Sequence, residues 1–291
     1  KVTHSHGAVL ITDEAHGAHL GLFDSFLPSA VSCGADIVIQ SLHKTLPCLT
    51  QSAIIHICSD RVDEKALLKY ISVFQTTSPS YVIMSSIDRC IELLTKEKTK
   101  LFENYLKLLN TFLARTKDLK NLKLLGGKNV DISKIYIYSD KCYGTDIYRM
   151  LRENYKIQPE MATVDGCLCM TSVADTKDGF DRLCKALFEI DRLLDTARPI
   201  ESASVYCGVP KSVMPAYIAS SKDCKEVPIA VCNGKTSGEY VWAYPPDIPI
   251  LVPGEVIDEK LIAAFCDMQS RGVRLQSDSG GLPDSLMCVD E

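Results

Sequence analysis

AVLITDEAH (8–16) and ADIVIQSLHK (35–44) decide the fold class of this chain. Each opens on apolar residues without polar alternation, the pattern of a strand covered on both faces. Each run then ends on an ionisable side chain, Asp13 in the first and Lys44 in the second. AVLIT (8–12) and DIVIQS (36–41) are read as strands, and SAIIHI (52–57) as a third. HLGLFDSFLPSAVSCGA (19–35) joins the first two through mixed helix and loop. Buried strands joined by crossovers imply an α/β sheet with both faces covered.

Working outward, VDEKALLKY (62–70) reads as helix and QTTSPSY (75–81) as a polar turn. A long helix follows over 81–116, its apolar residues (Val82, Ile83, Ile87, Ile91, Leu94, Leu101, Tyr105, Leu108, Leu109 and Phe112) falling near three- and four-residue spacing. KIYIYS (134–139), GTDIYRMLREN (144–154), CLCMTSV (167–173) and KDGFDRLCKALFEIDRLL (177–194) alternate strand and helix and predict a small α/β domain. A linker is placed at 197–216. Beyond it, Pro245, Pro246, Pro249 and Pro253 exclude a long helix and favour short extended pieces. SDSGGLPDS (277–285) is expected to be mobile. The boundaries read as 1–115, 116–200 and 201–291.

The 291 residues are enough for roughly two domains of ~150 residues. A net charge of −5 disfavours a broad nucleic-acid footprint, and no apolar run reaches the ~18–20 residues of a membrane span. Thirteen cysteines, an odd number without a C-x-x-C pair, make a poor disulfide framework and predict reduced thiols in a cytoplasmic protein. Cys167 and Cys169 should share one side of a strand. With no initiator Met and a strand almost at once, the chain reads as the downstream part of a longer protein.

Lys44 should lie at the carboxyl end of its strand, where open α/β sheets bind ligands. A lysine there can form a Schiff base with pyridoxal phosphate, and Asp13, at the equivalent end of the preceding strand, can keep the pyridine nitrogen protonated. His16 can hydrogen-bond the cofactor's phenolic oxygen, and Ala15 is small enough to lie against the ring. Ser41 and His43 are candidates for the phosphate. The bland alternatives are a solvated lysine and a strand-end turn former. Three sharper ones compete. DEAH after an apolar strand is also a helicase Mg²⁺ box, although no G-x-x-x-x-G-K-[ST] loop accompanies it. His4, His6, His16, His19 and Asp13 are candidate metal ligands, but their spacing fits no standard site. An aminotransferase would share the lysine, with Arg149, Arg152 or Arg182 for the substrate carboxylate.

ITDEAHGAHLG (11–21), ADIVIQSLHKTLPCLTQSAIIH (35–56) and FQTTSPSYVIMSSID (74–88), followed by EYVWAYPPDIPILVPGE (239–255), resemble the ornithine/lysine/arginine decarboxylases of pyridoxal-phosphate fold type I, in the shorter bacterial form. The resemblance implies an α/β cofactor domain, incomplete at its N-terminus, then a small α/β domain and a C-terminal α+β domain. It implies decarboxylation of a basic amino acid to agmatine or a diamine in polyamine metabolism, with no metal, by a homodimer or higher oligomer. Lys44 becomes the Schiff-base lysine, Asp13 the pyridinium partner, Ala15 and His16 the ring contacts, and Ser41 and His43 the phosphate side. Thr76, Thr77 and Ser78 match a loop that reaches the neighbouring subunit's cofactor, and Glu239 is nominated for the substrate's distal cation. The phosphate-cradling first half of the family's cofactor domain has no counterpart here, so an inactive remnant that keeps the fold is the remaining alternative.

Overall fold

A computed structural model describes residues 1–200, 208–244, 248–282 and 284–290. Pro245, Pro246 and part of the expected linker lie outside the described residues. The chain forms two compact units. The first comprises Lys1–Asp118, Gly126–Ile135 and Met170–Cys184, and the second Leu119–Leu125, Tyr136–Cys169 and Lys185–Glu291. Two stretches expected within a separate small domain, 126–135 and 170–184, thus pack with the first unit.

The first unit begins with α1 (Val2–Ser5), β1 (Ile11–Asp13), β2 (Ile37–Ser41), α2 (Leu42–Thr45) and β3 (Ala53–Ile57). The sheet order is β1-β2-β3. β1 runs parallel to β2, with Asp13 opposite Ile39, and β3 runs antiparallel to β2, with Ser41 opposite Ala53. Central β2 buries Ile37 and Val38. The two flanking strands depart from expectation. β1 is three residues long, and Val9, Ile11, Ile54, Ile55 and Ile57 are exposed. β1 and β3 form the sheet's two edges, and these residues each keep more than a third of their surface open. An unbroken apolar run reports that a strand can be covered, not which segment covers it.

Asp36 fastens the start of β2. Its carboxylate is buried and accepts hydrogen bonds from the Leu10 N–H (2.7 Å), Ser59 Oγ and His4 Nε2 (2.7 Å). These bonds, the Leu10 N–H foremost, hold its carboxyl well below the usual carboxylate range. A pKa depressed on folding contributes stability above the unfolded value of ~3.9, and that contribution is lost as pH falls through the folded one. Asp36→Asn should therefore lower the urea midpoint at pH 7. Its deficit relative to wild type should shrink as the pH is lowered below about 4. A deficit that stays constant from neutral pH into acid would contradict this account.

Two helices complete this part of the unit. α3 (Glu64–Phe74) is capped by Asp63, whose side chain accepts the Ala66 N–H, and buries none of its residues. α4 (Tyr81–Arg115) starts at Ser80, which accepts the Ile83 N–H, and buries Phe102, Tyr105, Leu106, Leu109 and Phe112 along one stripe. Phe26 meets Phe102 edge-on at 5.6 Å, and Phe180 lies 5.7 Å from Phe112.

Next in sequence come β4 (Lys123–Leu124), β5 (Lys134–Tyr138), α5 (Gly144–Tyr155), β6 (Met161–Ala162), β7 (Gly166–Met170) and α6 (Lys177–Leu193), with sheet order β4-β5-β7-β6. Cys167 and Cys169 are both buried on β7, on one side as the spacing predicts. Gly144 packs backbone to backbone on Gly166. A Cβ there would come within 2.2 Å of the Gly166 carbonyl carbon, so no larger residue fits. Buried Asp191 accepts the N–H groups of Lys120 (3.1 Å), Asn121 (2.8 Å) and Leu122 (2.7 Å) and ties the segment ahead of β4 to α6.

The remainder holds α7 (Ala216–Ala219), β8 (Cys224–Pro228), β9 (Val241–Tyr244), β10 (Ile248–Leu251), α8 (Glu259–Ser270), β11 (Arg274–Ser277) and β12 (Ser285–Val289). Two antiparallel sheets, β10-β9-β11 and β12-β8, enclose a core of Val241, Leu251, Ile257, Leu261, Phe265 and Leu286. The start of the stretch expected to be mobile is instead tied down. Asp278 accepts the Tyr240 N–H, and the Ser279 N–H reaches the Glu239 carboxylate. Among the described residues, no helix is long and apolar enough to cross a membrane.

Candidate active site

Because β1 and β2 are parallel, Asp13 and the Ser41–Lys44 segment leave the sheet at the same edge, the carboxyl end of both strands. Past Asp13 the chain stays attached to β2, the Glu14 N–H donating to the Ile39 carbonyl (2.8 Å). Asp13 Oδ1 accepts the Ala15 N–H (2.9 Å) in an Asx turn, which leaves its second oxygen facing solvent. Ala15 and His16 follow, both half-buried.

Lys44 projects from α2, a single helical turn, and is exposed. Its Nζ has no hydrogen-bond or ion-pair partner among the described residues. The backbone under it is held firmly. The Ser52 carbonyl accepts the Leu42 N–H (2.9 Å) and also contacts His43 Nδ1 (2.8 Å). The Leu49 N–H donates to Ser86 Oγ on α4 (2.7 Å). Leu42 and Thr45 face inward, and Thr45 Oγ1 is buried without a partner. Ser41 is the N-cap of α2 but makes no side-chain capping bond, so its hydroxyl remains available. Thr76, Thr77 and Ser78 lie in the exposed connection between α3 and α4.

The structure decides against two of the alternatives. In a helicase box the acid after Asp13 would activate water. Here the Glu14 carboxylate is consumed internally by Ser29 Oγ (2.8 Å), the Ala30 N–H (2.7 Å) and Gln40 Nε2 (2.6 Å). The proposed metal ligands are dispersed. His4 goes to Asp36, His6 to the Val2 carbonyl, and His19 to Asp131. No cluster of three potential ligands occurs among the described residues.

Three residues that sequence reading missed support the turn after Asp13. The His16 carbonyl accepts Lys134 Nζ (3.2 Å), and His19 Nε2 meets Asp131 (3.2 Å) and Ser133 Oγ (3.2 Å). They lie more than a hundred residues downstream in an unremarkable D-I-S-K stretch, where no local pattern distinguishes them. Glu239 belongs to the second unit. It is buried, and its two oxygens accept the N–H groups of Met287 (2.7 Å) and Ser279 (2.9 Å).

Residues 1–144 match the family model described as Orn/Lys/Arg decarboxylase, major domain, and residues 204–274 match its C-terminal domain. The chain belongs to the Orn/Lys/Arg decarboxylase family. An arginine decarboxylase of Halalkalibacterium halodurans is 30% identical over 306 residues, covering 100% of this chain and 62% of the relative. That of Bacillus subtilis is 28% identical over 288 residues, 95% of this chain and 59% of the relative. The chain thus spans about 60% of the length of these curated decarboxylases. In fold it resembles lysine decarboxylase A from Pseudomonas aeruginosa, with a TM-score of 0.69 at 18% identity over 97% of this chain and 53% of the other. The mixed α/β architecture is that of a fold type I member of the decarboxylase family.

Proposed function

We propose that the whole protein is a pyridoxal-phosphate-dependent decarboxylase of arginine, lysine or ornithine, releasing CO₂ and agmatine or a diamine for polyamine metabolism. The observation that carries this reading is Lys44. It is an unpaired, exposed amine on an anchored turn that leaves the sheet at the same carboxyl end as Asp13, in a chain of this family. The donor set suits the cofactor: one free amine, one carboxylate with an open oxygen, a small residue, and hydroxyl and imidazole groups near the lysine.

When bound, pyridoxal phosphate supplies a ring that accepts the electron pair left by departing CO₂. Lys44 would hold the cofactor through its amine, which is unpaired and free to bond to an aldehyde. Asp13 holds a proton on the ring nitrogen, and its fixed turn means little reorganisation accompanies the charge change. Ala15 and His16 would line the ring, and Ser41 and His43 would take the phosphate. Thr76–Ser78 reach towards a neighbouring copy, which calls for a dimer or larger assembly. The twelve described cysteines are all free thiols, which supports a cytoplasmic setting.

Glu239 is the acid proposed for the substrate's distal cation. Each oxygen has a lone-pair direction beyond its backbone donor. Glu239→Gln separates this role from a structural one: substrate contact predicts a raised KM with kcat retained, whereas pinning alone predicts only a lower melting temperature. The reaction is tested by incubating full-length protein and cofactor with each basic amino acid. Stoichiometric CO₂ and amine support the proposal. Keto acid without CO₂ identifies an aminotransferase and overturns it. Arg149, one candidate carboxylate ligand for that rival, is engaged by Asp146 (2.6 Å) at the surface.

A further inference from the structure

We propose that Lys134, held by Asp131, is a positioning residue for the turn that carries Asp13, Ala15 and His16. This inference rests on the cofactor reading above only for its catalytic consequence. The clamp itself is a property of the protein.

The turn is gripped from two sides. On one side Glu14 fastens it to Ser29, Ala30 and Gln40. On the other, Lys134 Nζ donates to the carbonyl of His16 itself (3.2 Å), and His19 closes onto Asp131 and Ser133. His19 Nδ1 is buried without a partner, so the ring's polar contacts run through Nε2. The proton is assigned there, where it is donated to the carboxylate. Ala15 and the His16 side chain stand between the two grips.

Lysines are usually solvated. The Lys134 side chain is only 16% exposed, and its ammonium meets the Asp131 carboxylate (3.3 Å) and Ser133 Oγ (3.2 Å) as well as the His16 carbonyl. Asp131 is itself fixed, accepting the Ser133 N–H (3.0 Å) and Ser133 Oγ (2.9 Å). The Ser133 carbonyl takes the Thr171 N–H (3.0 Å), and Thr171 Oγ1 meets the Tyr105 hydroxyl on α4 (2.6 Å). The ammonium is thus the last link of a chain of polar contacts starting at a long helix. Burial pushes the Asp131 carboxyl up, but His19 and Lys134 outweigh it and keep the group below the usual range. The carboxylate therefore stays charged opposite the ammonium.

An unanchored His16 carbonyl would let the turn shift. Misplacing a reacting group by about 1 Å can cost about 10²-fold in rate. The test uses the full-length protein with Lys134→Met and Lys134→Arg. In cofactor-free protein, hydrogen–deuterium exchange over residues 13–20 should be about tenfold faster or more in Lys134→Met, the scale of one lost charge-assisted bond. Exchange in β12 should not change. With cofactor, kcat per bound cofactor should fall roughly 10- to 100-fold while KM stays within about threefold. The circular dichroism of the cofactor band should change, and Lys134→Arg should recover most of each effect. Should Lys134→Met not fold, Asp131→Asn, which removes the counter-charge and keeps the amine, is read in the same way.

Wild-type exchange over 13–20 with an unaltered cofactor band overturns the inference. So does a lower melting temperature with unchanged kcat per cofactor. Failure of the cofactor reading has a different signature, a visible band that survives Lys44→Ala, and leaves the exchange result standing.

Discussion

Lys44→Ala in the full-length protein is expected to abolish the visible absorbance band and to lower CO₂ release by about 10³-fold or more, as for loss of a group that both anchors a cofactor and carries protons. Within the described residues the side chain is exposed and makes no hydrogen bond or ion pair, so the substitution removes none of the bonds that hold this part of the fold. The bonds that shape the turn come from Leu42, His43, Leu49, Ser52 and Ser86, none from the lysine side chain. Absorbance, CO₂ release and a urea transition on the same preparation separate chemistry from folding. Lys44→Arg should fail as completely, because a guanidinium stays protonated and offers no nucleophilic lone pair. A coloured, active Lys44→Ala protein would remove the basis of the proposal.

Asp13→Asn should give the opposite division: cofactor still bound, turnover down by about 10²- to 10³-fold, the range for removing one preorganised electrostatic partner. Asparagine is the informative replacement. Its side-chain carbonyl can still accept the Ala15 N–H, so the Asx turn survives and only the negative charge is lost. The measurement is kcat normalised to bound cofactor, with the bound fraction read from absorbance. Normal turnover in Asp13→Asn would mean that the charge does not act on the ring.

What was legible in the sequence follows the range of the interactions. DIVIQS became β2 at its expected place because a central strand is covered by its own neighbours. The long helix announced itself through three- and four-residue spacing after a polar turn, and ends at Arg115, one residue before the expected limit. Lys44 and Asp13 came to one sheet edge because each closes an apolar run, which is a local cue. The failures are non-local. AVLIT looks like a covered strand, yet β1 begins at Ile11 and lies open, since composition does not name its partner. The second acid of DEAH reads as catalytic until Ser29 and Gln40 close on it. Lys134 and Asp131 gain meaning only when the chain returns after more than a hundred residues.

The one-turn helix under Lys44 has a mechanical consequence. With Ser52 gripping its first turn and Ser86 the loop behind it, the Cα of Lys44 is a fixed pivot. Any travel of the amine, towards a ligand or away to make room for one, comes from rotation about its own four side-chain bonds. Such rotations of an exposed residue take picoseconds to nanoseconds, far faster than a loop or domain rearrangement. The lysine is therefore a short tether on a rigid post, and a change in the position of its amine calls for no movement of the backbone beneath it.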